Sequence, residues 1–380
     1  MKKICFVTTV SITLKVFVLK TAEYIHQNTD WDISMICSSD DEFAASLPEY
    51  IHYIPVHMER GISIGGVKAM LEMLRIFKKE RFDLVQYSTP NASLYAALAG
   101  KLCKIPVRLY CQWGIAYVGF TGLKRKIFKM IEKIVCRLST WVEPDSKSNL
   151  AFAHNEGLYP KEKGSVIGNG SACGVDLKKF DVSKRAQYRE EIRSKYGLTE
   201  DAFVFGYVGR ITRDKGINEL LQAFQELQEN HTNSCLMLVG PDECDATVDA
   251  ALYQWSKENV NVIYTGYTNV VEQYVSAMDV YLLPSYREGF GMGVVEAEAM
   301  GVPVIVTDIP GPTDAMLDGE TGIVVPKKST SALQAAMQRM LEEEEFRTLC
   351  SANATKLVIE NFEQQAFMKE VLEDRKRLLS

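Results

Sequence analysis

The chain has 380 residues, of which 47% are hydrophobic and 24% charged, and its formal net charge is −6. This length suits two domains of ordinary size, and the composition is typical of a soluble globular protein. The negative charge argues against nucleic acid as a partner, and nine scattered cysteines without a CxxC pair argue against a zinc site or a disulfide framework.

The first half alternates short apolar runs with longer amphipathic stretches. Helical patterns cover 67–79 and 92–102, and the opening run is a strand rather than a signal peptide because Lys15 interrupts it. No stretch reaches the roughly 18 uncharged apolar residues of a membrane span, so we expect a soluble protein. The scattered cysteines fit a reducing cytoplasm, and the protein could also lie peripherally on the inner face of the cytoplasmic membrane. The predicted strands are KICFVTTV, WDISMIC, DLVQYS, VRLYCQW and WVEPD.

A domain boundary is predicted where NGSACGVDLKKFDVSKRAQ loses its apolar periodicity and gains turn residues. The expected domains are residues 1–178 and 179–360. The last stretch, about 361–380, is helical and polar, and we expect it to pack back on the first domain.

The second half repeats the alternation more clearly. Its predicted strands are FVFGYVG, CLMLVG, NVIYTG, VYLLPS and VPVIVTD, each followed by a turn and then a helical pattern. Alternating strands and helices predict an α/β chain with doubly wound parallel sheets. In such sheets ligands bind at the carboxyl ends of the strands, where these turns lie.

The segment GYVGRITRDKG places two cations beside a helix that begins after a strand. The strand ends at Gly209, and Arg210 and Lys215 bracket the loop that follows. Free amides and the positive dipole end of the helix, together with two cations, would bind a phosphate well. A solvated turn in which the two cations lie by chance is an equally good interpretation at this point.

The segment REGFGMGVVEAEA places two glutamates, Glu288 and Glu296, around a glycine-rich turn after VYLLPS. Glycine amides can approach a phosphate closely, and carboxylates accept hydrogen bonds from sugar hydroxyls. The alternative is a structural turn with Glu296 on the surface. Together with the cationic segment, however, the turn points to a sugar nucleotide. The intervening donor-site candidates are Gly289, Phe290, Gly291 and Met292.

Four segments resemble motifs of retaining glycosyltransferase family 4, in the family's order along the chain. They are the E-x7-E segment from Glu288 to Glu296, GYVGRITRDKG, NGSACGVDLKKF and DGETGIVVP. The overall pattern is similar to that of transferases which build bacterial capsule and O-antigen polysaccharides. The resemblance implies the GT-B fold, in which two Rossmann-like domains face each other across a cleft.

The resemblance also implies roles for the charged residues. Arg210 and Lys215 would hold the donor diphosphate and stabilise the departing nucleotide, which makes them catalytic together with Glu288, the residue that contacts the transferred sugar. Glu296 would bind the ribose hydroxyls. The family uses neither a catalytic metal nor a cofactor, and it transfers with retention of configuration.

The remaining donor contacts follow from the same resemblance. The amides of Phe290 and Gly291 would help to hold the sugar. Gly240 and Tyr267 end neighbouring strands and could line the base pocket, although a tyrosine at a strand end is more often plain packing. UDP is the commonest donor nucleotide in the family.

The first half departs from the family pattern on its acceptor and sugar side. The glycine-rich loop after the first strand is replaced by a run of hydroxyl residues that includes Thr9 and Ser11. Where many family members have a histidine before a glycine, this chain has Gln112, Trp113 and Gly114, so Trp113 takes the place of the histidine. Trp113 could stack on a sugar, and Gln112 could form hydrogen bonds with its hydroxyls. A core aromatic is an equally good interpretation of Trp113.

The expected partners are a nucleotide-sugar donor and a glycan or undecaprenyl-diphosphate-linked sugar acceptor. Residues 122–139 form a basic amphipathic pattern that could contact an anionic membrane surface, with an ordinary packed helix as the favoured alternative. Two further functions stay open at this stage: a sugar-nucleotide epimerase on the same fold, and a non-catalytic sugar-nucleotide-binding subunit.

Overall fold

The computed structural model describes residues 1–59, 64–244 and 247–380. The chain splits into two compact units. Unit 1 comprises Met1–Gly174 and Gln365–Ser380, and unit 2 comprises Val175–Gln364. The C-terminal residues therefore belong to the first unit.

Each unit is built on six parallel strands. Those of unit 1 are β1 (Lys3–Val7), β2 (Asp32–Cys37), β3 (Ile51–Pro55), β4 (Leu84–Tyr87), β5 (Val107–Gln112) and β6 (Trp141–Pro144). Those of unit 2 are β7 (Phe203–Val208), β8 (Ser234–Val239), β9 (Val262–Gly266), β10 (Val280–Leu283), β11 (Val304–Thr307) and β12 (Gly322–Val325).

Helices connect the strands throughout. In unit 1 they are α1 (Ser11–Thr13), α2 (Leu19–Asn28), α3 (Asp41–Ser46), α4 (Ile64–Glu80), α5 (Pro90–Leu102), α6 (Gly122–Leu138) and α7 (Lys147–Asn155). They continue with α8 (Arg185–Lys195), α9 (Ile217–Gln228), α10 (Ala250–Glu258), α11 (Val271–Ser276), α12 (Met292–Ala299), α13 (Thr330–Glu342), α14 (Glu344–Asn361) and α15 (Gln364–Leu379). A π-helical turn, Leu14–Val18, joins α1 to α2.

The two sheets have the same strand order. It is β3-β2-β1-β4-β5-β6 in unit 1 and β12-β11-β10-β7-β8-β9 in unit 2. In each sheet the chain starts at a central strand, winds outward, and returns to the other side of that strand. The predicted doubly wound parallel α/β class is therefore confirmed, with a topological switch point between β1 and β4 and another between β7 and β10.

The central strands are buried on both faces, as their continuous apolar sequences predict. All six residues of β8 and all four of β10 are buried, because helices cover both faces of a doubly wound sheet. The two strands without a sequence prediction, β3 and β12, are edge strands of their sheets. Both are partly exposed and short, which weakens the hydrophobic signal of such a strand.

Helix α15 is anchored in unit 1 by a buried ion cluster. The guanidinium of Arg375 donates to both carboxylate oxygens of Glu143 and, at 3.1 Å, to the side-chain oxygen of Gln86. Arg375 is 2% exposed and also pairs with Asp374 at 2.8 Å, so removal of Arg375 would leave the Glu143 carboxylate buried without its cation. The helix predicted from about residue 361 begins at Gln364, and α14 ends before it at Asn361.

Candidate functional site

The switch point of the unit 2 sheet brings two sequence segments to one edge. Strand β7 ends at Val208 and leads through residues 209–216 into α9, whereas β10 ends at Leu283 and leads through residues 284–291 into α12. Because β7 and β10 are neighbours and parallel, both loops leave from the same edge. The cationic segment and the glutamate segment therefore lie side by side, where ligands of doubly wound domains bind.

A largely buried ion pair joins these two loops. The Lys215 ammonium donates to Glu288 Oε1 at 2.6 Å, and both side chains are largely shielded from solvent. The Ser285 hydroxyl donates to the same carboxylate oxygen at 2.6 Å. Two donors on one oxygen fix the orientation of the Glu288 carboxylate at the strand end. Sequence reasoning named Lys215 and Glu288 but missed Ser285, whose only signal is its place at the end of VYLLPS.

Arg210 lies at the same edge in a more exposed position. Its guanidinium forms a 3.1 Å ion pair with Glu243, and about half of each side chain is exposed. The Tyr207 hydroxyl donates a 2.8 Å hydrogen bond to the Arg210 carbonyl oxygen and so fixes the backbone of the arginine. The exposed pair contributes little to stability, so an anion could replace the carboxylate of Glu243 at low cost.

The cations of this edge surround Asp214. Burial raises the pKa of Asp214, but the hydrogen bond from Thr212 and the positive charges of Arg287, Lys215 and Arg210 outweigh it and lower the pKa. Arg287 forms a 3.0 Å ion pair with the Asp214 carboxylate. Three cations thus lie close to Asp214, although Lys215 and Arg210 are each also paired with a carboxylate of their own, and such a cluster of cations suits a diphosphate that displaces those partners.

Glycines allow the backbone segments at this edge to approach one another. Gly216 has φ +74°, and a Cβ there would overlap the carbonyl oxygen of Pro284, which belongs to the neighbouring loop. Gly240, at the end of β8, has φ +139°, and a Cβ there would overlap the carbonyl oxygen of Gly209. Any side chain at Gly216 or Gly240 would therefore push the strand ends apart.

The turn before α12 presents backbone rather than side chains. Gly291 has φ +87° and precedes the first turn of α12, which begins at Met292. The Phe290 side chain is 1% exposed and packs edge-on against Phe362, with ring centroids 5.3 Å apart. The contribution of Phe290 to ligand binding is therefore limited to its backbone, as expected for an amide donor at a helix N-terminus. Gly289 lies on the same turn.

Glu296 lies one turn into α12 in a crowded environment. Burial raises the pKa of its carboxyl to about 7; the positive charge of Lys179 opposes the shift, and the negative charge of Glu272 adds to it. Lys179 and Glu272 themselves form a 3.7 Å ion pair. The side chain keeps partial solvent exposure. A carboxylate held at such a cost, yet reachable from outside, is typical of a binding position. Sequence reasoning did not connect it to Lys179 or Glu272.

Tyr267 lies at a different strand end. It follows β9, is 67% exposed, and its hydroxyl donates to the Asn269 side chain at 2.7 Å. The exposed ring is not core packing, so the packing alternative for this residue does not hold. It is free to stack on a planar group.

In unit 1, the hydroxyl residues after β1 are bonded to neighbouring segments. The Thr9 amide donates to the Thr89 hydroxyl at 3.0 Å, and the two hydroxyls lie 2.8 Å apart, which ties the ends of β1 and β4 together. The Ser11 hydroxyl donates to the Asp40 carboxylate. Contact of these hydroxyls with a sugar would require exchange of the existing bonds.

The Gln112 side chain does not reach the surface. It is 0% exposed, donates to Glu132 at 2.5 Å, and its carbonyl oxygen accepts a 3.4 Å hydrogen bond from the Tyr159 hydroxyl. Gln112 ends β5 with its side chain on the core face, so the expected contact with sugar hydroxyls finds no support in this geometry. The sequence alone does not show that the Glu132 carboxyl is buried in the core and that Gln112 is one of its hydrogen-bond donors.

The two residues that follow lie at the strand end. Trp113 is half-buried and packs against Phe17, with ring centroids 5.6 Å apart. Gly114 has φ +87° and forms the turn after the strand. Part of the indole faces the core and part faces solvent. The core-aromatic interpretation of Trp113 therefore applies to its buried part, and the sugar-stacking interpretation concerns its exposed part.

Helix α6 carries two apolar faces. Phe128, Ile131 and Val135 point inward, as the sequence pattern indicates. A second set lies exposed along the helix at spacings of four, three and four residues. We call this set the α6 stripe, and it comprises Leu123, Ile127, Met130 and Ile134.

The basic residues of α6 fall into two groups. Lys129 and Arg125 pair with Glu156, at 2.6 Å and 3.9 Å. The remaining cations project from the helix without an ion pair within the residues that the structure covers. Three of them, called the α6 cations here, are Lys126, Lys133 and Arg137.

The described residues include neither a membrane-spanning helix nor a metal-binding cluster. Within 1–59, 64–244 and 247–380, no helix has both the length and the apolar character needed to cross a bilayer. The same residues contain no group of three or more histidine, cysteine, aspartate or glutamate side chains placed to share a metal ion.

Two family models match the sequence. Residues 188–357 match glycosyl transferases group 1, and residues 3–143 match the glycosyl transferase 4-like family. The chain is 31% identical over 342 residues to the capsular polysaccharide biosynthesis glycosyltransferase CapM of Staphylococcus aureus, an alignment that covers 90% of this chain and 88% of CapM.

A second relative and a solved structure extend the comparison. The chain is 25% identical over 354 residues to UDP-Gal:alpha-D-GlcNAc-diphosphoundecaprenol alpha-1,3-galactosyltransferase of Escherichia coli, with 88% of this chain and 86% of that protein covered. HepE of Anabaena, solved in complex with UDP, has a TM-score of 0.78 at 18% identity, and the match covers 99% of this chain and 100% of HepE. This likeness, with the two Rossmann-type sheets, confirms the predicted GT-B fold.

Proposed function

The chain belongs to glycosyltransferase family 4, and from that premise we propose that it moves a sugar from a UDP-sugar to a lipid-linked sugar acceptor in bacterial surface polysaccharide synthesis, with retention of configuration and without a metal ion. The observation that carries the proposal is the Lys215–Glu288 pair at the switch point of unit 2. It joins a cation for the departing diphosphate to a carboxylate for the transferred sugar.

The donor is bound by residues of both loops. Lys215 and Arg210 hold the diphosphate, exchanging the carboxylates of Glu288 and Glu243 for phosphate oxygens. The backbone before α12 receives the sugar or phosphate oxygens, and Glu296 accepts hydrogen bonds from the ribose hydroxyls. UDP as the nucleotide is supported by the donor for which the Escherichia coli relative is named and by the UDP complex of HepE.

The reaction then proceeds by stabilisation of the leaving group. As the bond between the sugar and the diphosphate breaks, negative charge grows on the diphosphate, and the two cations stabilise it more strongly than in the ground state. This supplies the charge that a divalent cation would otherwise provide. The acceptor hydroxyl attacks from the same face as the leaving group, and a donor phosphate oxygen takes its proton. Glu288 positions the sugar throughout.

The acceptor is a sugar carried on an isoprenoid diphosphate at a membrane surface. The Escherichia coli relative is named for such an acceptor. In this chain the α6 stripe and the α6 cations give one helix an exposed apolar ridge beside a row of positive charges. This combination binds an anionic bilayer with the helix lying in the interface.

The test measures release of nucleoside diphosphate from a panel of sugar nucleotides in EDTA, with and without a bacterial lipid extract. The proposal predicts release from one UDP-sugar that depends on the extract. The Glu288→Ala variant is the matched control for background hydrolysis. Release that requires added Mg²⁺ would contradict the metal-independent part, and release without any acceptor would point to a hydrolase or an epimerase instead.

A further inference from the structure

Unit 1 contains a cavity of about 220 Å³ between helices α4, α5 and α6. It lies on the opposite side of the sheet from α2 and α15, within the cluster of apolar side chains that these three helices form. The lining is mainly aliphatic. Its principal members, drawn from all three helices, are Val67, Met70, Leu94, Leu98, Ile131 and Val135.

One carboxyl, that of Glu132, also lines the cavity. Its Oε1 accepts hydrogen bonds from the Tyr110 hydroxyl at 2.9 Å and from the Gln112 amide at 2.5 Å. Burial raises the pKa of this carboxyl, and the two hydrogen bonds act in the opposite direction. The bonds hold the carboxyl against β5, so the greater part of the wall remains hydrocarbon.

The cavity continues into the exposed apolar surface. Val67 lines it and is 57% exposed, so the cavity opens at the N-terminal part of α4. On α6, Ile131 lines the cavity one turn from Ile127 and less than one turn from Ile134, which both belong to the exposed α6 stripe. An apolar path therefore leads from the stripe into the cavity.

The charge beside this path is positive. The α6 cations follow the edge of the stripe that lies away from the cavity, as helical spacing requires for positions 126, 133 and 137. A ligand whose hydrocarbon chain crosses the stripe into the cavity would place an anionic head beside these cations, on the far side of the stripe. This complementarity selects an anionic lipid rather than a peptide or a neutral metabolite.

We propose that this cavity binds a segment of the isoprenoid chain of the lipid-linked acceptor, and so fixes the acceptor on unit 1. The inference rests on the proposed function, which supplies the isoprenoid carrier. An apolar cavity of about 150 Å³ holds one benzene molecule. By that scale 220 Å³ accommodates roughly eight carbons, which is between one and two isoprene units.

The binding test uses farnesyl diphosphate as the probe, with inorganic diphosphate as the control for the headgroup alone. Titration calorimetry is carried out on the full chain and on two variants that fill the cavity, Leu98→Trp and Leu94→Trp. The matched control is Leu102→Trp, on the same helix but 63% exposed and outside the cavity. Circular dichroism and UDP binding establish that each variant is folded.

The proposal predicts that the native chain binds farnesyl diphosphate at least tenfold more tightly than inorganic diphosphate. Both filled variants should lose this margin, while Leu102→Trp keeps it. A margin that survives in both filled variants overturns the proposal. Equal binding of dodecyl diphosphate, which has the same head on a linear chain, also overturns it and identifies the cavity as a site for bilayer acyl chains.

The transfer assay separates failure of this inference from failure of the proposed function. If acceptor-dependent release of nucleoside diphosphate continues unchanged in Leu98→Trp, the enzyme is a transferase and the cavity proposal is wrong. If the native chain shows no acceptor-dependent release, the proposed function fails, whereas a tenfold margin for farnesyl diphosphate that Leu98→Trp abolishes would still support the cavity.

Discussion

Replacement of Glu296 by glutamine should stabilise the unliganded protein, and the gain should depend on pH. Burial raises the pKa of the Glu296 carboxyl from 4.5 to about 7. A carboxyl with a raised pKa contributes stability that is complete below the unfolded pKa and is lost as pH rises through the folded pKa. Ionisation of Glu296 therefore lowers the free energy of unfolding progressively between about pH 4.5 and 7, and the full reduction is reached above pH 7.

The size of the effect follows from this shift. At about 1.4 kcal/mol for each pKa unit, the full penalty is about 3 kcal/mol, and most of it, about 2 to 3 kcal/mol, develops between pH 5 and pH 8. Glutamine has nearly the same shape and no charge, so Glu296→Gln escapes the penalty. For a folding unit of this size, the gain corresponds to a rise of roughly 5 to 10 °C in Tm at pH 8 relative to pH 5.

The assay is thermal unfolding of the two proteins across about pH 5 to 8.5, followed by tryptophan fluorescence. The matched control is Glu288→Gln, the same chemical change on a carboxylate that Lys215 neutralises, and it should not stabilise the protein at pH 8. The stabilised Glu296→Gln variant should bind UDP more weakly, because an amide replaces the carboxylate that we propose accepts hydrogen bonds from the ribose hydroxyls. A difference in Tm that is the same at every pH would refute the reasoning.

Three further variants test other parts of the structure. Glu288→Ala should abolish sugar transfer but leave UDP binding unchanged or somewhat tighter, because the variant frees Lys215, as measured by product formation and calorimetry; equal loss of both would assign Glu288 to the nucleotide instead. Arg375→Met should cost about 3 to 5 kcal/mol of stability in urea unfolding, because it leaves Glu143 charged and buried. Gly216→Ala, at φ +74° against a carbonyl oxygen, should cost about 3 kcal/mol and weaken UDP binding; a neutral effect on both would show that the loop relaxes freely.

The sequence predicts the architecture well because the central strands are buried on both faces. Strands such as β8 and β10 need continuous apolar runs, and such runs followed by turn residues are visible without a structure. Two of the four edge strands, β3 and β12, are short and partly exposed, and the sequence prediction misses them. The π-helical turn Leu14–Val18 is not predicted from the sequence.

Within the candidate site, the sequence predicts which residues lie close together, but it does not predict which hydrogen bonds and ion pairs these residues form in the unliganded protein. Chain order and strand ends are enough to bring Lys215 close to Glu288, because parallel strands deliver both loops to one edge. Gln112 ends a strand that is buried on both faces, so its polar side chain lies in the core, and the sequence alone does not show this. Its partner Glu132 is twenty positions away on a helix, so only the folded arrangement reveals the pair.

The pairing of both site cations with carboxylates has a consequence for donor affinity. A diphosphate that reaches Lys215 and Arg210 does not meet two free cations, because it must displace Glu288 and Glu243 from them. The displaced Glu288 then needs new donors, which the hydroxyls of the transferred sugar would supply in the proposed function. A free nucleoside diphosphate has no such hydroxyls at that position, so it leaves the carboxylate beside the phosphate and should bind less tightly than the intact sugar nucleotide. The same ion pair that weakens product binding thereby favours release of the product after transfer.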